Sequence, residues 1–136
     1  MTFAARLHPV LVHFPIALIV IAAFAEGLAT ATGDRRWRIV AIADVRLGAM
    51  FAIVAAAAGW RLASGIEPTA VLQWHRWLGL IAAAATLSAA AATTVRADRS
   101  SAAWIYRISL VSAASLIAIA GHLGGLLVWG ADFFRP

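Results

Sequence analysis

From Ile16 to Ala25 the chain carries no polar side chain, and three further long apolar stretches follow, near 39–63, 70–95 and 102–130. With the first, at about 9–32, they fill most of the sequence. A helix needs roughly 20 apolar residues to cross the hydrocarbon of a bilayer, and each stretch reaches that length. The alternative is a water-soluble domain with an unusually apolar core, and it fails on surface area. Hydrophobic residues make up 63% of the 136 and charged residues 12%, where soluble domains carry about 25% charge. So few polar side chains cannot cover so small a body. The expected fold is all-α: an integral membrane, up-down-up-down four-helix bundle, one domain over residues 1–136, with short loops between helices.

The charges fit that arrangement. All eleven cationic side chains are arginines, and the net charge is +5. In a soluble protein that balance would suggest nucleic acid; here the arginines lie in or beside loops, and membrane topology accounts for them. Four of them, Arg6, Arg61, Arg76 and Arg135, fall at the end holding both termini. Arg35, Arg36, Arg38, Arg46, Arg96, Arg99 and Arg107 fall at the other. The arginine-rich side should be cytoplasmic, which puts both termini in the periplasm of a bacterial inner membrane. The first apolar run is too long for a cleaved signal and contains Glu26, so it reads as a retained helix. The chain has no cysteine, which removes disulfides and thiolate chemistry.

Chemistry is concentrated in the four histidines. His8 and His13 open the first segment in Leu7-His8-Pro9-Val10-Leu11-Val12-His13-Phe14-Pro15. His75 opens the third, and His122 lies near the end of the fourth. The alternating topology brings all four to the outer leaflet. Pro9 can start a helix without losing a bond, whereas Pro15 deprives Leu11 of a donor and could kink the start. His122 sits among Gly121, Gly124 and Gly125, on a face shared with Ser115 and Ala118 that suits the bundle interior. His75 shares a face with Leu78, Ala82, Ala85 and Ala89. His13, which lies deeper in the span than His8, ranks above it.

Two inward imidazoles on diagonal helices could ligate a haem iron axially. His13 and His75 suit that role, with His122 able to replace either, and Arg61, Arg76 and Arg6 could hold the propionates. The expected function is therefore haem b binding, with electron transfer between a quinone or membrane partner and a periplasmic redox protein. The same histidines, His8, His13, His75 and His122, could instead bind copper or zinc. A third reading is a structural subunit of a larger complex, its histidines merely packing. Besides the lipid bilayer and such a redox partner, self-association into a homo-oligomer stays open. Glu26, near the inner end of the first segment, should pair with Arg46 or neighbour Asp44 and tie two helices; a proton relay is the sharper reading. Nucleotide loops, nucleophile elbows and serine triads are missing from the sequence.

The stretch from Leu7 to Leu18 resembles the opening of the bacterial membrane proteins grouped as domain of unknown function 2231. His75-Arg76-Trp77-Leu78-Gly79 and the block from Gly121 to Gly130 are similar to that family's other recurring segments. The resemblance extends over essentially the whole chain. It implies an integral membrane protein of about four helices, and it favours haem or electron transfer because some members stand beside cytochrome-like modules. Glu26 matches an acidic residue common late in the family's first helix. Gly59-Trp60-Arg61 stands where some members have an aspartate and an aromatic residue.

Overall fold

A computed structural model describes residues 6–95 and 100–132. The first apolar segment forms two helices in near-continuity, α1 (His8–Leu11) and α2 (His13–Thr32). They are separated only at Val12, whose backbone stays helical at φ −65° and ψ −24°. The break falls one turn before Pro15, where the ring removes the N–H that would have bonded the Leu11 carbonyl. Gly33 ends α2 in the left-handed conformation at φ 72°, its N–H bonding Ala29 O at 3.1 Å; that backbone favours glycine.

The second helix, α3 (Arg35–Ala63), starts four residues earlier than the apolar pattern alone suggests. The cause is Asp34, whose Oδ1 accepts from Arg36 N at 2.9 Å as an N-cap. The Arg36 guanidinium beside it, 2.8 Å away, holds the Asp34 carboxyl below the usual carboxylate range. Thr69 caps α4 (Ala70–Ala92) by accepting from Leu72 N at 3.2 Å. That helix stops before Val95, because the Thr93 and Thr94 hydroxyls donate to Ala90 O and Ala91 O at 2.6 and 2.7 Å. They take up carbonyls that another helical turn would have used. The last helix, α5 (Ser100–Trp129), is the longest, and Gly130 closes it at φ 79°.

The protein is an all-α bundle of four long helices with α1 leading into the first. The segment 8–32, α3 and residues 101–129 of α5 are each long and apolar enough to cross a membrane. In α4 the polar opening Gln73, His75 and Arg76 leaves an apolar run only from Leu78 to Ala92, short of the roughly 20 residues a span needs.

Polar contacts fix which ends meet. The start of the chain meets the end of α3 through His8 and Ala55, and the end of α2 meets the start of α3 through Glu26 and Arg38. On the other side His75 meets Ala120, and Ser88 meets Ser109 at 3.0 Å. Two helical hairpins, α2–α3 and α4–α5, thus lie against each other.

The core between them holds Ile19, Ala22, Val45, Ala82, Ala89, Tyr106, Leu110, Ala113 and Ile117. Four of these nine are alanines, and alanine makes up most of the buried hydrophobic residues among those described, as expected where membrane helices approach closely. At Gly48 a Cβ would stand 2.9 Å from Ile19 Cδ1, so α2 and α3 approach closely there and a larger residue would have to displace the end of the Ile19 side chain. Large apolar side chains point outward instead: Phe24, Ile39, Met50, Ile108 and Val111 are all more than 60% exposed. This inside-out distribution suits a lipid environment and would be prohibitive in water.

Candidate functional site: a histidine pair

His8 and His75 come together although they begin different helices. Their ring centroids are 6.1 Å apart and the ring planes stand at 77°. Each imidazole is fixed by a main-chain carbonyl of another helix. His8 Nδ1 lies 2.9 Å from Ala55 O on α3, and His75 Nδ1 lies 2.8 Å from Ala120 O on α5. A carbonyl can only accept, so in both rings Nδ1 carries the hydrogen and donates it. The neutral ring then keeps an unprotonated Nε2 with a lone pair available to a ligand.

A glycine lies one turn beyond each carbonyl. A Cβ at Gly59 would stand 2.5 Å from His8 Cε1 and 2.8 Å from its Nδ1. A Cβ at Gly124 would stand 3.1 Å from His75 Cε1. Each hairpin therefore builds the same half-site: an imidazole from the start of one helix, then a carbonyl and a glycine notch four residues apart on the next.

Around the pair stand the aromatic and cationic groups of this end. Trp60 and Trp77 meet edge to face with centroids 6.3 Å apart. The Arg76 guanidinium lies 3.9 Å from the Trp60 ring centroid, a cation–π contact. Arg61 is exposed. A groove of about 420 Å³ opens beside them, lined by Ala56, Ala57, Trp60, Arg61 and Leu80.

The other two histidines lie elsewhere. His13 and His122 are exposed, with no hydrogen-bond partner among the described residues. Ser115 and Ala118 are exposed along with His122, so that face of α5 looks outward and not into the bundle as its small residues suggest. The interior face of α5 runs through Tyr106, Leu110, Ala113, Ile117 and Ala120 to Gly124. No group of three or more histidine, aspartate or glutamate side chains converges as a metal site among the described residues. Arg6 is exposed at the same end as the pair.

The sequence does hold a signal for His8. Its spacing to Pro15, Ile19, Ala22, Glu26 and Ala29 is seven, four, three, four and three, the buried stripe of a helix. His13 is off that stripe. Depth along the span favours His13, but the direction in which a residue faces decides contact.

At the opposite end Glu26 is buried, 6% exposed. Its Oε1 accepts from Arg38 Nη2 and from Arg107 Nε, each at 2.9 Å. The partner expected from the sequence, Arg46, turns instead to Thr93, bonding its hydroxyl at 3.0 Å and its carbonyl at 3.2 Å. Arg46 lies two turns past Arg38 along α3, and its long side chain reaches the frayed end of α4. Glu26 thereby ties three helices, α2, α3 and α5, where a tie between two was expected.

These features define a membrane protein whose histidine pair is assembled from two helical hairpins. The model of a family described as Predicted membrane protein (DUF2231) matches residues 4–133, and the chain belongs to that family. No curated protein and no solved structure matches the chain.

Proposed function

We propose that the chain spans the membrane four times in up-down-up-down order, α4 crossing along its full 23 residues with its polar opening at headgroup level, and that it is a haem b protein passing electrons at the periplasmic face, with His8 and His75 as the residues that would ligate the iron. The observation that carries this reading is the paired imidazoles, each with Nδ1 held on a carbonyl, an arrangement that in the neutral ring leaves the Nε2 lone pair for a ligand. The fit rests on donor chemistry: the two imidazoles, with ring centroids 6.1 Å apart, would offer the nitrogen donors that a haem iron takes.

The pair also favours haem over zinc or copper held by protein alone. Such sites ordinarily use three or four protein ligands, whereas an axially ligated haem needs two. His13 and His122 then have no part in ligation. Haem bound here would supply one-electron redox chemistry. The chain's part is to fix both rings through Ala55 O and Ala120 O, to make room for them at Gly59 and Gly124, and to keep bulk water away. Arg61, at the lip of the groove, and Arg76, once turned from Trp60, would hold the propionates. The excess of arginines at the other end favours placing the histidine end, with both termini, in the periplasm of an inner membrane.

A visible spectrum of detergent-purified protein tests the proposal. The expected result is a Soret band with a reducible α band, lost in His8→Ala and in His75→Ala and kept in His13→Ala and His122→Ala. A spectrum unchanged by the first two substitutions overturns the ligand assignment. Stoichiometric copper or zinc without a Soret band would replace haem with a metal ion, and the absence of both would favour a structural subunit.

A further inference from the structure

The arginine end contains a group the histidine pair does not use. Glu26 Oε1 holds Arg38 Nη2 and Arg107 Nε at 2.9 Å each, so two like charges stand side by side on a single carboxylate oxygen. The three groups together carry one uncompensated positive charge at the border of the apolar zone. Charge in that position is costly unless something neutralises it.

The arginines are also only partly used. A guanidinium has five N–H donors. Arg38 and Arg107 each spend one on Glu26, and the others have no partner among the described residues. Their side chains are 40% and 34% exposed, while that of Glu26 is 7% exposed. The carboxylate is thus sealed below and the unused donors open to the surface. Trp37, 40% exposed, is next to Arg38, and Trp104, 63% exposed, is three residues before Arg107. Tryptophans in such positions mark headgroup level.

We propose that Arg38 and Arg107 form a binding site for the phosphate of an anionic phospholipid, with Glu26 as the buried strut that holds the two guanidiniums together. The non-bridging phosphate oxygens accept from both forks, the remaining charge is neutralised, and the tryptophans border the headgroup. Because two guanidiniums face a single carboxylate, the site keeps a net positive charge and selects anionic over zwitterionic lipid.

The test is the thermal midpoint of the full chain in detergent, titrated with phosphatidylglycerol, with phosphatidylcholine of the same acyl chains, or with inorganic phosphate. The expected result is apparent binding of phosphatidylglycerol about tenfold tighter than of phosphatidylcholine. Arg107→Gln and Arg38→Gln should each abolish most of that preference, and Arg35→Gln, at an exposed position nearby, should leave most of it. Glu26→Gln keeps both arginines and removes the compensating charge, so it should lower the midpoint without lipid yet strengthen the preference. That variant decides the matter if the arginine variants do not fold. Equal responses to the two lipids, a preference that survives both arginine substitutions, or a Glu26→Gln protein with unchanged preference would overturn the proposal. A response reproduced by inorganic phosphate would assign the site to a soluble anion instead.

Discussion

The two halves of the histidine site use one design on unequal supports. His8 belongs to a four-residue helix that breaks at Val12, whereas His75 sits in the second turn of a 23-residue helix capped by Thr69. Yet the rings make the same bond, at 2.9 and 2.8 Å, to the same kind of acceptor. What sets an imidazole's position here is therefore the opposing helix, with its carbonyl and its glycine, more than the helix that carries the ring. The notches differ as well: Gly59 is in closer contact with His8 than Gly124 is with His75.

Substitutions can break this equivalence by degrees. Gly59→Ala should have the largest effect. Its new Cβ would meet the His8 ring at 2.5 Å, forcing the ring off Ala55 O and leaving the Nδ1–H of a half-buried imidazole without its acceptor. The expected loss is about 2 kcal/mol, after allowing for the better helix propensity of alanine, measured by chemical denaturation in detergent. An unaltered midpoint would show that His8 has slack the contact distance denies it.

Thr69→Ala should come next, at about 1 kcal/mol, since it removes the cap of the helix that carries His75. Hydrogen exchange should rise through the first turn of α4 and leave α1 untouched. If α1 exchanges faster too, the half-sites are coupled more tightly than their separate supports imply. Gly124→Ala should be the mildest. A contact of 3.1 Å needs only a few tenths of an ångström of give, and the gain in helix propensity roughly offsets it. The net change should stay within about 0.5 kcal/mol, and a loss as large as that at Gly59 would make the two notches equivalent.

Much of this was legible in the sequence, and the reasons for the rest are physical. Length and composition located the long helices, because a run such as Ile16–Ala25 has few other fates. Ends were less certain, since capping depends on single side chains such as Asp34 and Thr93 that apolar periodicity ignores. His75 was placed on the correct face because Ala82 and Ala89, on the same stripe, are both buried. His122 was misplaced because small residues mark either a packed face or merely a smooth one, and on α5 both faces carry them. Rotation about the helix axis separates the two, and the larger buried residues Tyr106, Leu110 and Ile117 reveal it. For Glu26 the sequence offered a shallow buried acid and several arginines. Choosing among them needed the long side chains' reach across helices, which spacing within one helix does not encode.

The alanine-lined core has a mechanical consequence. Where facing surfaces bear mostly Ala22, Ala41, Ala49, Ala52, Ala82, Ala89 and Ala113, sliding one helix by a turn exchanges one smooth contact for another of nearly equal energy. Interlocking large side chains would resist such a screw motion, but here few are present. Vertical alignment must come from features that do not repeat: the close Ile19–Gly48 contact within the span, and near the rims the imidazole–carbonyl bonds at one and the Glu26–arginine tie at the other. The molecule resembles a bundle of smooth rods pinned at both ends, so loosening either pin should ease axial travel at that end.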